Sequence, residues 1–163
     1  MLDFAKASKK LPPSFEACIY ATVMSDKIKT NLLKINPRLA IFGLMDDITE
    51  AYHNLDIVVL PYRSYLGGVA NPLVLLEAMA CGKAIITTDF EHLKEIVQDS
   101  SIIIKKRSPS EIVTAAVSLA NNSYRESLGK KAREIVLKEF DQKQMFQKYL
   151  ALYSELKIRL GLV

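Results

Sequence analysis

The chain has only two cysteines, Cys18 and Cys81, among its 163 residues. They lie far apart in the sequence, and neither belongs to a Cys-x-x-Cys pair or has a histidine beside it. This usage argues against a disulfide framework and against a cysteine-based zinc site. We therefore expect both side chains to act as small buried hydrophobic groups, and we predict no metal site.

Long hydrophobic runs are also missing. No apolar stretch approaches the roughly 20 residues that cross a bilayer, and the N-terminus lacks the apolar segment of a secretory signal. We therefore predict a cytoplasmic chain. The net charge of +4 is spread along the sequence, which leaves open a weak peripheral association with anionic lipid at the inner face of the membrane. Because no nucleic-acid motif accompanies the basic residues, we expect no nucleic-acid partner.

Three common motifs are absent as well. Gly82-Lys83 is followed by Ala84, and Glu77 occupies the position of the upstream glycine in a phosphate-binding P-loop. Gly67-Gly68 is an isolated pair and not the G-x-G-x-x-G of a dinucleotide fold. No serine nucleophile elbow is present either. The sequence therefore assigns no catalytic residue.

What the sequence does contain is an alternation of apolar, β-branched runs with amphipathic segments. This order predicts an α/β fold with a doubly wound parallel sheet, whose continuous apolar strands are covered on both faces by helices. The length suits a single domain over residues 1–163. The predicted strands are 17–21, 39–42, 57–60, 84–87 and 101–104, and the predicted helices between them are 2–11, 26–35, 47–54, 72–80, 91–98 and 109–121.

The remaining C-terminal part, 123–160, predicts a long helical segment with an interruption around 139–141. Its last helix carries apolar residues at helical spacing, which marks one face of that helix. We expect this face to pack against the rest of the fold. The residues of the stripe are Met145, Phe146, Tyr149, Leu152, Tyr153 and Leu156.

The most informative stretch is residues 69–89, VANPLVLLEAMACGKAIITTD. Asn71 is a favoured N-cap residue and Pro72 suits the first helical position, so a helix should begin here. Its free N–H groups, together with the nearby Gly67-Gly68 pair, suit the binding of a phosphate. Glu77 lies about a turn and a half inside this helix. A carboxylate in so apolar a helix requires a polar partner.

Ligands of doubly wound sheets bind at the carboxyl ends of the strands. The loops after Leu60 and after Thr88 lie at that edge and should converge there. The second loop supplies Asp89, Glu91 and His92 as candidate cleft residues. For His92 a structural role is equally compatible with the sequence, because no second residue is evident that would orient it as a base.

Four segments together resemble a known family, the retaining glycosyltransferases of the two-domain GT-B fold, known as group 1 or family 4. They are DIVVLP at 56–61, PLVLLEAMACG at 72–82, KAIITTD at 83–89 and EIV at 95–97. The resemblance is to the Rossmann-like C-terminal domain, which binds the donor. It implies a hexosyltransferase that uses a nucleoside-diphosphate sugar, with UDP, GDP and ADP all open, and it implies no metal and no further cofactor.

The resemblance also assigns roles to individual residues. Glu77 matches the second glutamate of the family's E-x7-E motif, which hydrogen-bonds the ribose of the nucleotide. In the family a Gly-Arg turn and a nearby lysine, which precede the first helix of this chain, clamp the diphosphate, and Arg63 and Lys83 are possible substitutes for these cations. The loop expected beside the diphosphate and the sugar consists of Gly67, Gly68, Val69, Ala70, Asn71, Pro72, Leu73 and Val74.

The motif residues depart from the family pattern at three places. Val69 stands where the family has its first motif glutamate, Ala70-Asn71-Pro72 replaces the Gly-Phe-Gly that follows, and Glu91-His92 replaces a Gly-Gly pair. These changes fit either a subgroup of active enzymes or a non-catalytic GT-B-like module for nucleotide binding or assembly. Direct nucleotide binding would discriminate between the two.

A further departure concerns the sheet, because the chain begins in the helix that follows the family's first strand. In the order 3-2-1-4-5-6 that strand is central, so its absence should leave two strand edges unpaired. A longer polypeptide, direct pairing of the neighbouring strands, or another copy in a homo-oligomer could each close the gap. We expect a fragment of a two-domain enzyme whose N-terminal domain binds an acceptor glycan or lipid, and we expect the isolated chain to be inactive.

Overall fold

The structure is a computed structural model that describes residues 1–64 and 72–161. It confirms the Rossmann-like α/β fold. Its described strands are β1 (Cys18–Tyr20), β2 (Ala40–Phe42), β3 (Ile57–Leu60), β4 (Ala84–Thr88) and β5 (Ser101–Ile104). The helices in the same ranges are α1 (Leu2–Ser8), α2 (Asp26–Ile35), α3 (Ile48–His53), α4 (Leu73–Ala80), α5 (Glu91–Val97), α6 (Pro109–Ser118), α7 (Asn122–Glu139) and α8 (Gln142–Leu160).

The described strands form two parallel sheets. One has the order β3-β4-β5, and the other contains β1 and β2. In this part of the chain, β1 and β3 are not hydrogen-bonded to each other, which is the gap expected between the two halves of the sheet. Direct pairing of the strands that flank the gap is therefore excluded for the described residues.

Strand β4 forms the centre of the core, with all five residues buried. Ile85 on one face packs with Leu75 and Met79 of α4. Ile86 on the other face packs with Ile112 of α6. Successive side chains of a strand point to opposite faces, so this single apolar run supplies both sides of the core. The prediction that helices cover both faces of the sheet is confirmed.

Helix α4 ends in a tight turn against which α7 packs with almost no space between them. Gly82 in this turn has a φ of +64°, a conformation that glycine adopts without strain. A Cβ atom placed on Gly129 of α7 would lie 2.1 Å from the Gly82 carbonyl oxygen. Arg133, one turn further along α7, donates a hydrogen bond to the Ala80 carbonyl at the end of α4. Backbone therefore meets backbone at this crossing.

The expectation that the last helix packs against the fold is wrong for the described residues. No residue of α8 is buried, and the stripe from Met145 to Leu156 has exposed fractions between 39% and 61%. The periodic pattern correctly predicted an amphipathic helix, but the described residues provide no surface that covers its apolar face. No helix in the described ranges combines the length and apolarity needed to cross a membrane.

Candidate functional site at the carboxyl edge of the sheet

Side-chain hydrogen bonds hold together the carboxyl ends of the two neighbouring strands β3 and β4. The Thr87 hydroxyl donates to the Leu60 carbonyl oxygen at 3.2 Å, and the Thr88 hydroxyl does so at 3.5 Å. Both threonines are fully buried, so their hydroxyls need this internal acceptor. The loops that follow β3 and β4 therefore start side by side at the carboxyl edge, where the sequence predicted that they converge.

Helix α4 begins at Leu73, one residue later than predicted. Pro72 is its N-cap, with a φ of −64° and a ψ of 118°, and its carbonyl accepts a bond from the Leu75 amide at 2.9 Å. The φ of proline suits both positions, so only ψ distinguishes a cap from a first helical residue. The N–H groups of Leu73 and Val74 precede the first intrahelical donor and are free of the helix's own ladder.

Most of the predicted phosphate loop, Gly67, Gly68, Val69, Ala70 and Asn71, lies outside the described residues. The predicted role of these five residues is therefore not tested by the structure. Of the predicted loop, the structure describes Pro72, Leu73 and Val74. The Leu73 residue is 71% exposed, so the start of α4 is accessible.

Glu77 has the polar partner that the sequence required. The Tyr52 hydroxyl donates to its Oε2 atom at 2.9 Å, and the same hydroxyl lies 3.2 Å from the Val74 carbonyl oxygen. Burial raises the pKa of Tyr52, and the neighbouring Glu77 carboxylate raises it further, so the hydroxyl stays protonated and acts as the donor. The sequence did not identify Tyr52, because its contact with Glu77 joins two separate helices, α3 and α4.

Arg63, a predicted phosphate cation, forms a two-pronged ion pair with Asp3. Its Nε and Nη2 atoms each donate to an Asp3 carboxylate oxygen at 2.6 Å. The Asp3 side chain is 5% exposed and that of Arg63 is 41% exposed. The pair ties α1 to the loop after β3. The guanidinium keeps further N–H groups for another acceptor, so a contact with phosphate stays a prediction.

Replacing Asp3 by asparagine should destabilise the chain near neutral pH and much less in acid. The hydrogen bonds from Arg63 lower the pKa of Asp3 below its usual 3.8. A carboxyl with a lowered folded pKa contributes stability above its unfolded pKa and loses it as the pH falls through the folded value. Because Arg63 is partly exposed, we expect a loss of about 1 kcal/mol at neutral pH.

Urea unfolding measures this difference. The wild-type and Asp3→Asn chains are compared at neutral pH and at a pH well below the usual carboxyl pKa. Asp46→Asn, which removes an exposed carboxylate, is the control. A difference between wild type and Asp3→Asn that is the same at both pH values would show that the loss comes from packing and not from the ion pair.

Lys83, the other predicted cation, lies at the wrong edge of the sheet. It directly precedes Ala84, and Ala84 pairs with Ile57 at the amino ends of β4 and β3. The Lys83 ammonium group donates to the His53 carbonyl oxygen at 3.4 Å. The turn at Gly82 joins the end of α4 to the amino end of β4. Lys83 therefore lies at the opposite edge of the sheet from the loop that follows β4. We therefore withdraw Lys83 from the phosphate site.

Asp89 and Glu91 share one cation at the carboxyl edge. The Lys94 ammonium group lies 3.0 Å from a carboxylate oxygen of each of them, and these hydrogen bonds raise the pKa of Lys94. The His92 ring lies 5.7 Å from the ring of Phe90, centroid to centroid. This group places charge beside the loop that follows β4. Within residues 1–64 and 72–161, no cluster of three His, Cys, Asp or Glu side chains could hold a metal ion.

Comparison with known sequences gives a match to one family over most of the chain. The profile of the family described as glycosyl transferases group 1 matches residues 3–122. The N,N'-diacetylbacillosaminyl-diphospho-undecaprenol alpha-1,3-N-acetylgalactosaminyltransferase of Campylobacter jejuni is 34% identical over 115 residues. That alignment covers 69% of this chain and 29% of the Campylobacter protein.

Solved structures share the fold over nearly the whole chain. HepE from Anabaena, in a complex with UDP-glucose, superposes with a TM-score of 0.82 at 16% identity, over 95% of this chain and 45% of HepE. The C-terminal domain of LpcC, a glycosyl transferase group 1 family protein of Francisella tularensis, superposes with a TM-score of 0.70 at 24% identity. The superposition covers 86% of this chain and 78% of the LpcC domain. The chain spans less than half of the Campylobacter protein and of HepE.

Proposed function

The chain belongs to the glycosyl transferases of group 1 and has the fold of their C-terminal domain, and on this basis we propose that it binds the donor of a retaining glycosyl transfer. The donor is a nucleoside-diphosphate sugar, and the transferred unit is a hexosyl group. The observation that carries the proposal is the pair formed by Tyr52 and Glu77, which holds a carboxylate about one turn after the start of α4, the helix that follows the carboxyl end of β3.

Three features would contact two parts of the donor, the ribose and the diphosphate. The Glu77 carboxylate accepts hydrogen bonds from the ribose hydroxyls. The N–H groups of Leu73 and Val74, which make no bond within α4, lie at the positive end of its dipole and would face the diphosphate. Arg63, held by Asp3, supplies a positive charge near the same phosphates. As the bond to the sugar breaks, charge grows on the departing diphosphate, and these donors stabilise it electrostatically.

We also propose that residues 1–163 form one domain of a longer, two-domain protein. Strands β1 and β3 each have one edge without a strand partner in the described part of the chain. A parallel strand from the same polypeptide would join the two sheets. The other domain would bind an acceptor glycan or lipid and would carry any catalytic base. The isolated chain is therefore expected to bind the donor without turnover.

A two-dimensional NMR titration of the chain with UDP, GDP and ADP tests the proposal. Saturable shifts of the amides of Leu73, Val74 and Glu77, and of the segment 89–94, for one nucleotide would support a donor domain and identify its base. The amides of α8 serve as the internal control, because they lie outside the proposed site. No saturable shift with any of the three nucleotides would contradict the proposal and favour a non-catalytic assembly module.

A further inference from the structure

Tyr52 has two properties that a simple packing residue does not need. It is 5% exposed and belongs to the core cluster that also contains Leu75 and Met79 of α4, so its ring is held in place by packing. Its hydroxyl nevertheless reaches the carboxylate of Glu77, which is an exposed residue. The buried ring thus fixes the position of a polar group at the surface.

We propose that Tyr52 is a positioning residue for nucleotide recognition, which holds the Glu77 carboxylate in the orientation that accepts hydrogen bonds from the ribose hydroxyls of a nucleoside diphosphate. This inference rests on the proposed function. Tyr52 itself makes no contact with the ligand in this scheme. It acts through Glu77, whose other carboxylate lone pairs stay available to both hydroxyls of the ribose.

The physical reason is the freedom of a glutamate side chain. An exposed glutamate samples several rotamers, and fixing it on ligand binding costs conformational entropy. The hydroxyl of Tyr52 is already held in place because the core fixes its ring. Its hydrogen bond to Glu77 therefore removes part of that cost before the ligand binds. Because the same hydroxyl lies 3.2 Å from the Val74 carbonyl oxygen, it also links Glu77 to the first turn of α4. The ribose contact and the proposed phosphate contact are thereby held at a fixed separation.

Tyr52→Phe tests the proposal, because it removes the hydroxyl and keeps the ring. The probes are UDP, GDP and ADP and their 2′,3′-dideoxy counterparts, measured by calorimetric titration. We expect the variant to bind the ribonucleotide preferred by the wild type about five- to tenfold more weakly, the equivalent of one lost hydrogen bond. Binding of the dideoxy counterpart, which lacks both ribose hydroxyls, should be unchanged.

Tyr149→Phe is the control outside the site. Tyr149 lies on α8, and this variant also loses only a hydroxyl. We expect its affinities for both nucleotides to equal those of the wild type. A second control introduces Tyr52→Phe into a Glu77→Ala chain, where it should cause no further loss, because the side chain that Tyr52 positions is absent there.

The outcomes separate the inference from the function on which it rests. Equal weakening of ribonucleotide and dideoxynucleotide by Tyr52→Phe, or an undiminished effect in the Glu77→Ala chain, would overturn the positioning role while donor binding stands. Unchanged ribonucleotide affinity in Tyr52→Phe would do the same. Failure of the wild-type chain to bind any of the three nucleotides would overturn the proposed function and this inference with it.

Discussion

Replacing Glu77 by glutamine should weaken nucleoside-diphosphate binding about ten- to hundredfold, since a hydrogen bond to a charged group contributes about 1.5 to 3 kcal/mol. Glutamine keeps a carbonyl oxygen that can accept the bond from Tyr52. It replaces the other carboxylate oxygen with an NH2 group, which cannot accept a bond from a ribose hydroxyl. The thermal unfolding temperature should therefore change little while the affinity falls.

Calorimetric titration with the nucleotide selected by NMR measures this loss, and differential scanning calorimetry checks the fold. Glu155→Gln is the charge-matched control, because Glu155 is an exposed carboxylate on α8, outside the proposed site. An unchanged affinity in Glu77→Gln, or a large fall in unfolding temperature with normal binding, would contradict the role of Glu77 and leave it a structural residue.

Replacing Gly129 by alanine should cause a larger loss of stability than Asp3→Asn or Glu77→Gln. The new Cβ atom would lie 2.1 Å from the Gly82 carbonyl oxygen, well inside contact distance, and the obstacle is backbone that cannot rotate away. Alanine is favoured over glycine within a helix by about 1 kcal/mol, which offsets part of the strain. We expect a net destabilisation of about 2 to 3 kcal/mol as α7 moves away from the turn.

Gly43→Ala is the control for this change, because no atom lies within 4 Å of the Cβ that it would add. Its unfolding temperature should match that of the wild type within about 2 °C, whereas that of Gly129→Ala should fall by several degrees. Equal unfolding temperatures for the two variants would show that α7 does not contact the Gly82 turn in solution.

The sequence predicted the order and type of the described elements because each depends on local pattern. Strand β4 is an uninterrupted run of buried residues that begins Ala-Ile-Ile, and the bounds of β3 and β5 match the prediction residue for residue. Strands β1 and β2 are shorter than predicted, although bonds from the Ala40 amide to Ala17 O and from the Ala21 amide to Phe42 O extend their ladder at both ends. Periodicity identifies which residues share a face, but it does not identify what covers that face, and the prediction for α8 failed for this reason.

The candidate site was less predictable, because its contacts join residues that are far apart in sequence. Glu77 was identified as a carboxylate in need of a partner, yet Tyr52 lies 25 positions away on another helix. Arg63 was identified as a candidate phosphate cation, but the sequence did not reveal its partner Asp3, which lies 60 positions away. Lys83 was assigned to the phosphate site, but it follows the last turn of α4, and the phosphate site was predicted at the first turn of that helix. Pairings of this kind depend on how the helices pack on the sheet.

The exposure of α8 has a consequence for the cooperativity of unfolding. Its 19 residues bury no side chain, so their helical structure depends on the Asp141 cap and on hydrogen bonds within the helix. An isolated helix of this length is only marginally stable in water. The helix can therefore fray and reform while the core around β4 stays folded, as a separate local unit of low stability. Loss of helical signal on heating would begin before the core melts, and a two-state free energy describes only the later, core transition.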